Sequence, residues 1–191
     1  MFYVIIILAS VLIISAANLA FMIPCTLFDI EKIIFSVSFG TIAIIALDGI
    51  LALIIRWLLP KRWFGADQKI FSVSQKEHLC YRKMHIKQWK DLVPELGCFT
   101  NFHKDRLESA DDAAYLERFI LESNFGVAIH LSNALLGFLI MFLPFCRSFS
   151  VWFPIFCVNF LLSLLPVAVL RHNTYTLTRL YQRTKRKNAT A

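Results

Sequence analysis

The sequence predicts an all-α integral membrane protein: four transmembrane helices, with a cytoplasmic amphipathic and helical segment between the second and the third. Three observations carry that expectation. First, 58% of the 191 residues are hydrophobic and only 17% are charged, against about 25% charged in an ordinary soluble domain. Second, the mean hydropathy is +0.61, and a water-soluble globule of this length has too little interior to hide so much apolar surface. Third, four apolar stretches each reach the roughly 20 residues that a helix needs to cross a bilayer core of about 30 Å. Disordered and ordinary soluble chains are excluded. The net charge of +7 points to anionic lipid headgroups as partners before nucleic acid.

The first stretch, residues 2–24, carries no charge. No Lys or Arg precedes it and its apolar run is long, so it reads as a retained helix and not as a signal peptide. The second, residues 33–59, contains Asp48 and Arg56. The third and fourth, residues 127–146 and 151–170, are joined by Arg147-Ser148-Phe149-Ser150, a link with room only for a tight helical hairpin. Orientation follows from the cations. Eleven of the 20 Lys and Arg residues fall in the insert 60–126 and six in the tail 171–191, whereas the other two connectors hold only Lys32 and Arg147. Cation-rich loops stay on the cytoplasmic side. Both termini and the insert are therefore expected in the cytoplasm, in a single multi-pass domain of the cell membrane.

The insert opens with Pro60-Lys61-Arg62-Trp63-Phe64, basic and aromatic anchors for a membrane boundary. Residues 81–92 read as one basic amphipathic helix lying among headgroups. Lys83, Lys87 and Lys90 share one face, while Ile86, Trp89 and Val93 share another. Val93-Pro94 breaks it and Gly97 permits a turn. Ser109-x-x-Asp112 looks like a capping box that starts a helix through Tyr115, Leu116, Phe119 and Ile120. The basic tail, residues 179–187, most simply grips anionic lipid.

Few residues offer chemistry. Asp48 sits mid-span, where a carboxylate is expensive and functional by default. It either pairs with a buried polar group such as Asn18 or serves a transport path; Arg56, about 12 Å along the helix, is too far to pair. His130 lies three residues inside the third span, near enough to water to exchange protons. Asn133 and Ser163 lie at a depth where a polar seam would cross the hairpin, and Glu122 borders the same region. Cys80-x4-His85-x12-Cys98-x4-His103 has gaps unlike those of zinc sites, so no metal is expected. The five cysteines follow no disulfide framework. No Walker, Rossmann or G-x-S-x-G sequence is present.

Several strings resemble one family. Ala17-Asn18-Leu19 with Ile23-Pro24 and Phe28, Ile86-Lys87-x-Trp89-Lys90-Asp91-x-x-Pro94-Glu95-x-Gly97, Tyr115-Leu116-Glu117-Arg118-Phe119-Ile120-Leu121-Glu122 with Gly126 and His130, and Arg171-His172-Asn173 with Leu177 look like the glycosyl-4,4'-diaponeurosporenoate acyltransferases of staphyloxanthin-type carotenoid biosynthesis. The strings run in order over most of the chain. Val127 stands where the family has a second acidic residue before the histidine, and Thr174 where it has Arg after the last motif.

The resemblance implies an O-acyltransferase moving a fatty acyl group onto a sugar hydroxyl of a glycolipid or glycosyl carotenoid. On that reading His130, Glu122 and Asn173 are the catalytic candidates. Lys87, Trp89, Lys90, Asp91 and Arg171 are the substrate-binding ones. No cofactor is implied beyond an acyl donor such as acyl-CoA or acyl-carrier protein. A tight hairpin is expected to bring Asn173 back to the depth of His130. Two other readings of the residues stand beside this one: a noncatalytic lipid- or partner-binding membrane protein, and a small transporter using Asp48.

Overall fold

A computed structural model describes residues 2–21, 26–93, 107, 109–140 and 148–190. Among them the only regular structure is helical. Six α-helices run in order: α1 (Phe2–Ala20), α2 (Leu27–Leu58), α3 (Gln75–Lys83), α4 (Ile86–Trp89), α5 (Ala113–Ile140) and α6 (Phe149–Thr190). Short 3-10 turns occupy Lys61–Phe64, Lys69–Phe71 and Lys90–Leu92. Four of the helices, α1, α2, α5 and α6, are long and apolar enough to cross a membrane.

Helix ends differ from the sequence expectation for local reasons. α2 starts six residues earlier than residue 33, because Thr26 and Asp29 cap it. The Thr26 hydroxyl and backbone N–H both donate to Asp29 Oδ2, at 2.6 and 3.0 Å, and Asp29 N–H donates back to Thr26 Oγ1 at 3.3 Å. Reciprocal bonds of this kind satisfy the donors left open at a helix start. α5 is capped by Asp112 and not by Ser109: Asp112 Oδ1 accepts Ala114 N–H at 2.8 Å. It then runs unbroken through residue 127 into the apolar stretch. Of the expected hairpin link, Arg147 lies outside the described residues. The Ser148 carbonyl accepts the N–H groups of Val151 and Trp152.

α6 does not end at residue 170. Its 42 residues make about 63 Å of helix, about twice a bilayer core. The presumed tail, residues 171–191, is therefore helical to Thr190, and it carries core residues as well as charge.

The chain divides into two compact units, Met1–Leu53 with Ile129–Leu164, and Ile54–Ala128 with Leu165–Ala191. In the first, Ile14, Ile33, Val37, Ile44, Val151, Trp152, Ile155 and Phe156 form the core. Gly40 permits close packing there, since a Cβ on it would lie 2.9 Å from Ile155 and 3.2 Å from Trp152. The outer faces are bare hydrocarbon: Leu12 is 71% exposed, Phe35 70% and Ile42 66%. Large apolar faces of that kind are stable against lipid and not against water. Asp48 pairs with Asn159, whose amide donates to Asp48 Oδ1 at 3.5 Å and to the Asn133 carbonyl at 3.4 Å. The expected partner, Asn18, instead donates to the Ile14 and Ser150 carbonyls. The polar seam exists, but Asn159 builds it and not Ser163.

In the second unit Leu116, Phe119 and Ile120 of α5 pack on Leu177 and Tyr181 of α6. Spacings of three and four residues put each set on one helical face. Asn124, 2% exposed, ties the turn after Pro60 to α5 by donating to the Phe64 carbonyl at 2.9 Å. Beside it Phe64 stacks on Phe125 at 4.1 Å.

Candidate functional site

The second unit contains a polar cluster built on α3 and α6. α3 starts where Ser74 caps it: the Ser74 side chain accepts Glu77 N–H at 3.2 Å. That cap fixes Glu77 one turn into the helix, and Tyr81, four residues on, donates its hydroxyl to Glu77 Oε1 at 2.8 Å. Arg171 of α6 meets the same carboxylate as a two-pronged fork. Its Nε donates to Oε1 at 2.5 Å and its Nη2 to Oε2 at 2.9 Å, with a further bond from Nη2 to the Ser72 carbonyl at 3.3 Å. The fork geometry of guanidinium and carboxylate makes such pairs the strong ones. Arg171 holds the Glu77 carboxyl below its ordinary range, with the Tyr81 bond adding to the effect.

The next residue along each helix makes the second contact. His78 stacks face to face on His172, with ring centroids 4.8 Å apart and planes 5° from parallel. It also stacks on Tyr175 at 4.1 Å. Arg179 covers the same tyrosine, 5.3 Å above the ring, and donates to its hydroxyl at 3.2 Å. His172 is 6% exposed, and the Nδ1 atoms of both histidines are buried with no hydrogen-bond partner among the described residues. Burial pushes the His78 imidazole below the usual histidine range, and the positive charge of Arg82 pushes it the same way. An imidazole kept neutral by burial and nearby cations is able to accept a proton.

The residues expected from sequence are distributed as follows. His130 is half-buried and belongs to the first unit, while Glu122, Asn173, Arg171, Lys87, Trp89, Lys90 and Asp91 belong to the second. Glu122 is ion-paired with Arg56 at 2.7 Å, and Arg56 also lies 5.5 Å over the Phe125 ring. Asn173 is half-buried on α6. Arg171 is engaged with Glu77, as above.

Residues 81–92 do not form one helix. His85 takes a left-handed backbone, φ 52°, which ends α3 and restarts the chain as α4. The Trp89 indole donates to the Met84 carbonyl at 3.0 Å and closes that turn. Lys83, Lys87 and Lys90 therefore share no continuous face. Lys90 lies 3.6 Å from Asp91, whose side chain is 85% exposed, a surface pair of small energetic weight. Among the described residues no group of three His, Cys, Asp or Glu side chains could hold a metal. Cys98 and His103 of the zinc-like string lie outside the described residues, as do Ile23, Pro24, Pro94, Glu95 and Gly97 of the family strings.

Sequence reasoning missed Glu77, His78, Tyr81 and Tyr175, and gave His172 no role. The only signals were local: Ser74-x-x-Glu77 as a capping box, and His172-x-x-Tyr175 on one helical face. The pairing itself joins residues 94 apart.

A family model described as glycosyl-4,4'-diaponeurosporenoate acyltransferase matches residues 60–183, about two thirds of the chain. No curated protein and no solved structure matches it.

Proposed function

The chain belongs to the glycosyl-4,4'-diaponeurosporenoate acyltransferase family, and from that premise we propose that it moves a fatty acyl group from an anionic thioester donor onto a sugar hydroxyl of a membrane glycolipid or glycosyl carotenoid. The observation that carries the mechanism is the stacked pair His78 and His172, within the matched segment. His78 acts as the base. It takes the proton of the acceptor hydroxyl as that oxygen attacks the acyl carbonyl carbon. The tetrahedral intermediate places negative charge on the carbonyl oxygen, which the cation Lys87 steadies. Collapse breaks the carbon–sulfur bond, and the leaving thiolate takes the proton back from His78. His172 and Tyr175 fix the ring by stacking, and the Arg171–Glu77 fork fixes α3 on α6. Lys87, Trp89 and Lys90 serve the donor: two cations, and an indole that holds their turn in place.

The alternative reading puts the base at His130, with Glu122 and Asn173 assisting. Single substitutions decide between them. Lipid mass spectrometry of cells expressing His78→Gln should show loss of the acylated product with unchanged protein level and thermal stability. His130→Gln should retain it. Loss of product only in His130→Gln and Asn173→Ala would transfer the role to His130, and product in all three variants would refute both assignments.

A further inference from the structure

α3 carries a charge surplus that its own acids do not balance. The helix has one carboxylate, Glu77, and the Arg171 fork occupies it. Lys76, Arg82 and Lys83 are exposed and have no acidic partner among the described residues. These three cations line one open groove together with Leu79, Cys80 and His85. Lys76, Leu79, Cys80 and Lys83 are at spacings of three, four and seven, and so share one helical face. The left-handed turn at His85 closes its end. A non-glycine residue in that conformation is strained, and backbone of this type collects at ligand clamps and switches. Here the Trp89 indole and the bond from Gln88 N–H to the His85 carbonyl at 2.9 Å hold it.

We propose that this groove is the phosphate-recognition site of the acyl donor, and that it takes a soluble ligand with clustered phosphate charge, such as the diphosphate of a coenzyme A-type thioester. The inference rests on the acyl-transfer reading and names its donor class. Unpaired cations gathered within two helical turns repel one another until a multiply charged anion joins them. A concave wall suits a discrete ligand. A lipid surface is instead met by a flat strip of lysines along one helix, and the turn at His85 removes that strip.

The test uses the full chain in phosphatidylcholine nanodiscs and measures binding of free coenzyme A by calorimetry at low salt. Lys76→Gln, Arg82→Gln and Lys83→Gln combined should weaken binding by about ten-fold or more, the equivalent of losing one charge-assisted contact. Inorganic pyrophosphate should displace coenzyme A from the unsubstituted chain. All three positions are exposed, and Lys83→Gln alone, with an unchanged melting temperature, should give a smaller weakening in the same direction. Affinity unchanged by the triple substitution would overturn the proposal. So would binding that vanishes when phosphatidylglycerol replaces part of the lipid, which would assign the groove to headgroups. Failure of the groove and failure of the enzyme reading separate cleanly. Acyl transfer whose donor KM ignores the triple substitution refutes the groove alone. Coenzyme A binding as expected, without any transfer, refutes the enzyme alone.

Discussion

Replacing Arg171 by Met keeps the aliphatic stem and removes the fork that joins α6 to α3. Three hydrogen bonds go: two to the Glu77 carboxylate and one to the Ser72 carbonyl. The two side chains are 18% and 28% exposed, between a surface pair worth under about 1 kcal/mol and buried charge-assisted bonds worth about 1.5–3 kcal/mol each. A loss of about 2 kcal/mol is therefore expected, or roughly 4–8 °C in melting temperature for a chain of this size. Glu77→Gln keeps the helix cap and the shape, yet strands a half-buried guanidinium, and should cost a similar amount. Because both substitutions break the same contact, the double variant should fall short of the summed losses by about 1–3 kcal/mol.

Acid supplies an independent check. The Glu77 carboxyl is held below its ordinary value of 4.5, chiefly by the bond from Arg171. Its stabilising effect is complete above pH 4.5 and is lost as pH falls through the lower folded value. Thermal unfolding followed by tryptophan fluorescence in nanodiscs, at pH 7 and in steps below pH 5, reads both effects. A coupling energy below about 0.3 kcal/mol, or an acid response identical in Arg171→Met and the unsubstituted chain, would refute the clamp.

Three further outcomes follow from the same unit and from the charge distribution. If His78 is the base, kcat at saturating donor should rise with pH through a midpoint below the ordinary histidine value of 6.5, and Arg82→Gln should move that midpoint upward by removing a nearby positive charge; a midpoint indifferent to Arg82→Gln would refute the assignment. Asn124→Ala strips a donor from the buried Phe64 carbonyl and should cost about 1–3 kcal/mol, read by thermal unfolding, with an unchanged melting temperature counting against the tie. In a cysteine-free background, an impermeant thiol reagent outside intact cells should label Cys placed at Asp29 or Ser148 and spare Cys placed at Ser109 or Asn188; external labelling at Ser109 would reverse the orientation.

The four helices long and apolar enough to cross a membrane were legible in the sequence, because hydropathy summed over about 20 residues is a local property, indifferent to what packs beside it. The cap at Thr26-x-x-Asp29, which starts α2 at Leu27 and not at residue 33, was passed over, although its local hydrogen bonding was legible in principle. The break at His85 was not legible. Lysines and apolar residues kept helical spacing across it, and no Gly or Pro marked the left-handed residue. The Trp89 bond to the Met84 carbonyl and the Gln88 bond to the His85 carbonyl hold it there.

The tail illustrates the same division. Its charges suggested a basic tail that grips anionic lipid, but Leu177 and Tyr181 recur at a helical spacing that acquires meaning only once α5 supplies an opposing face. The site lies wholly on that second side. Glu77 with Arg171 and His78 with His172 are neighbours in sequence within each helix and 94 residues apart between helices. Composition and spacing determined that this chain carries helices long and apolar enough for a membrane, because a water-to-lipid transfer energy depends on each residue's own chemistry. The pairing of two histidines and the fork beside them was decided by tertiary structure alone, because a stacked ring or a shared carboxylate is a property of two side chains and exists only where the fold brings them together.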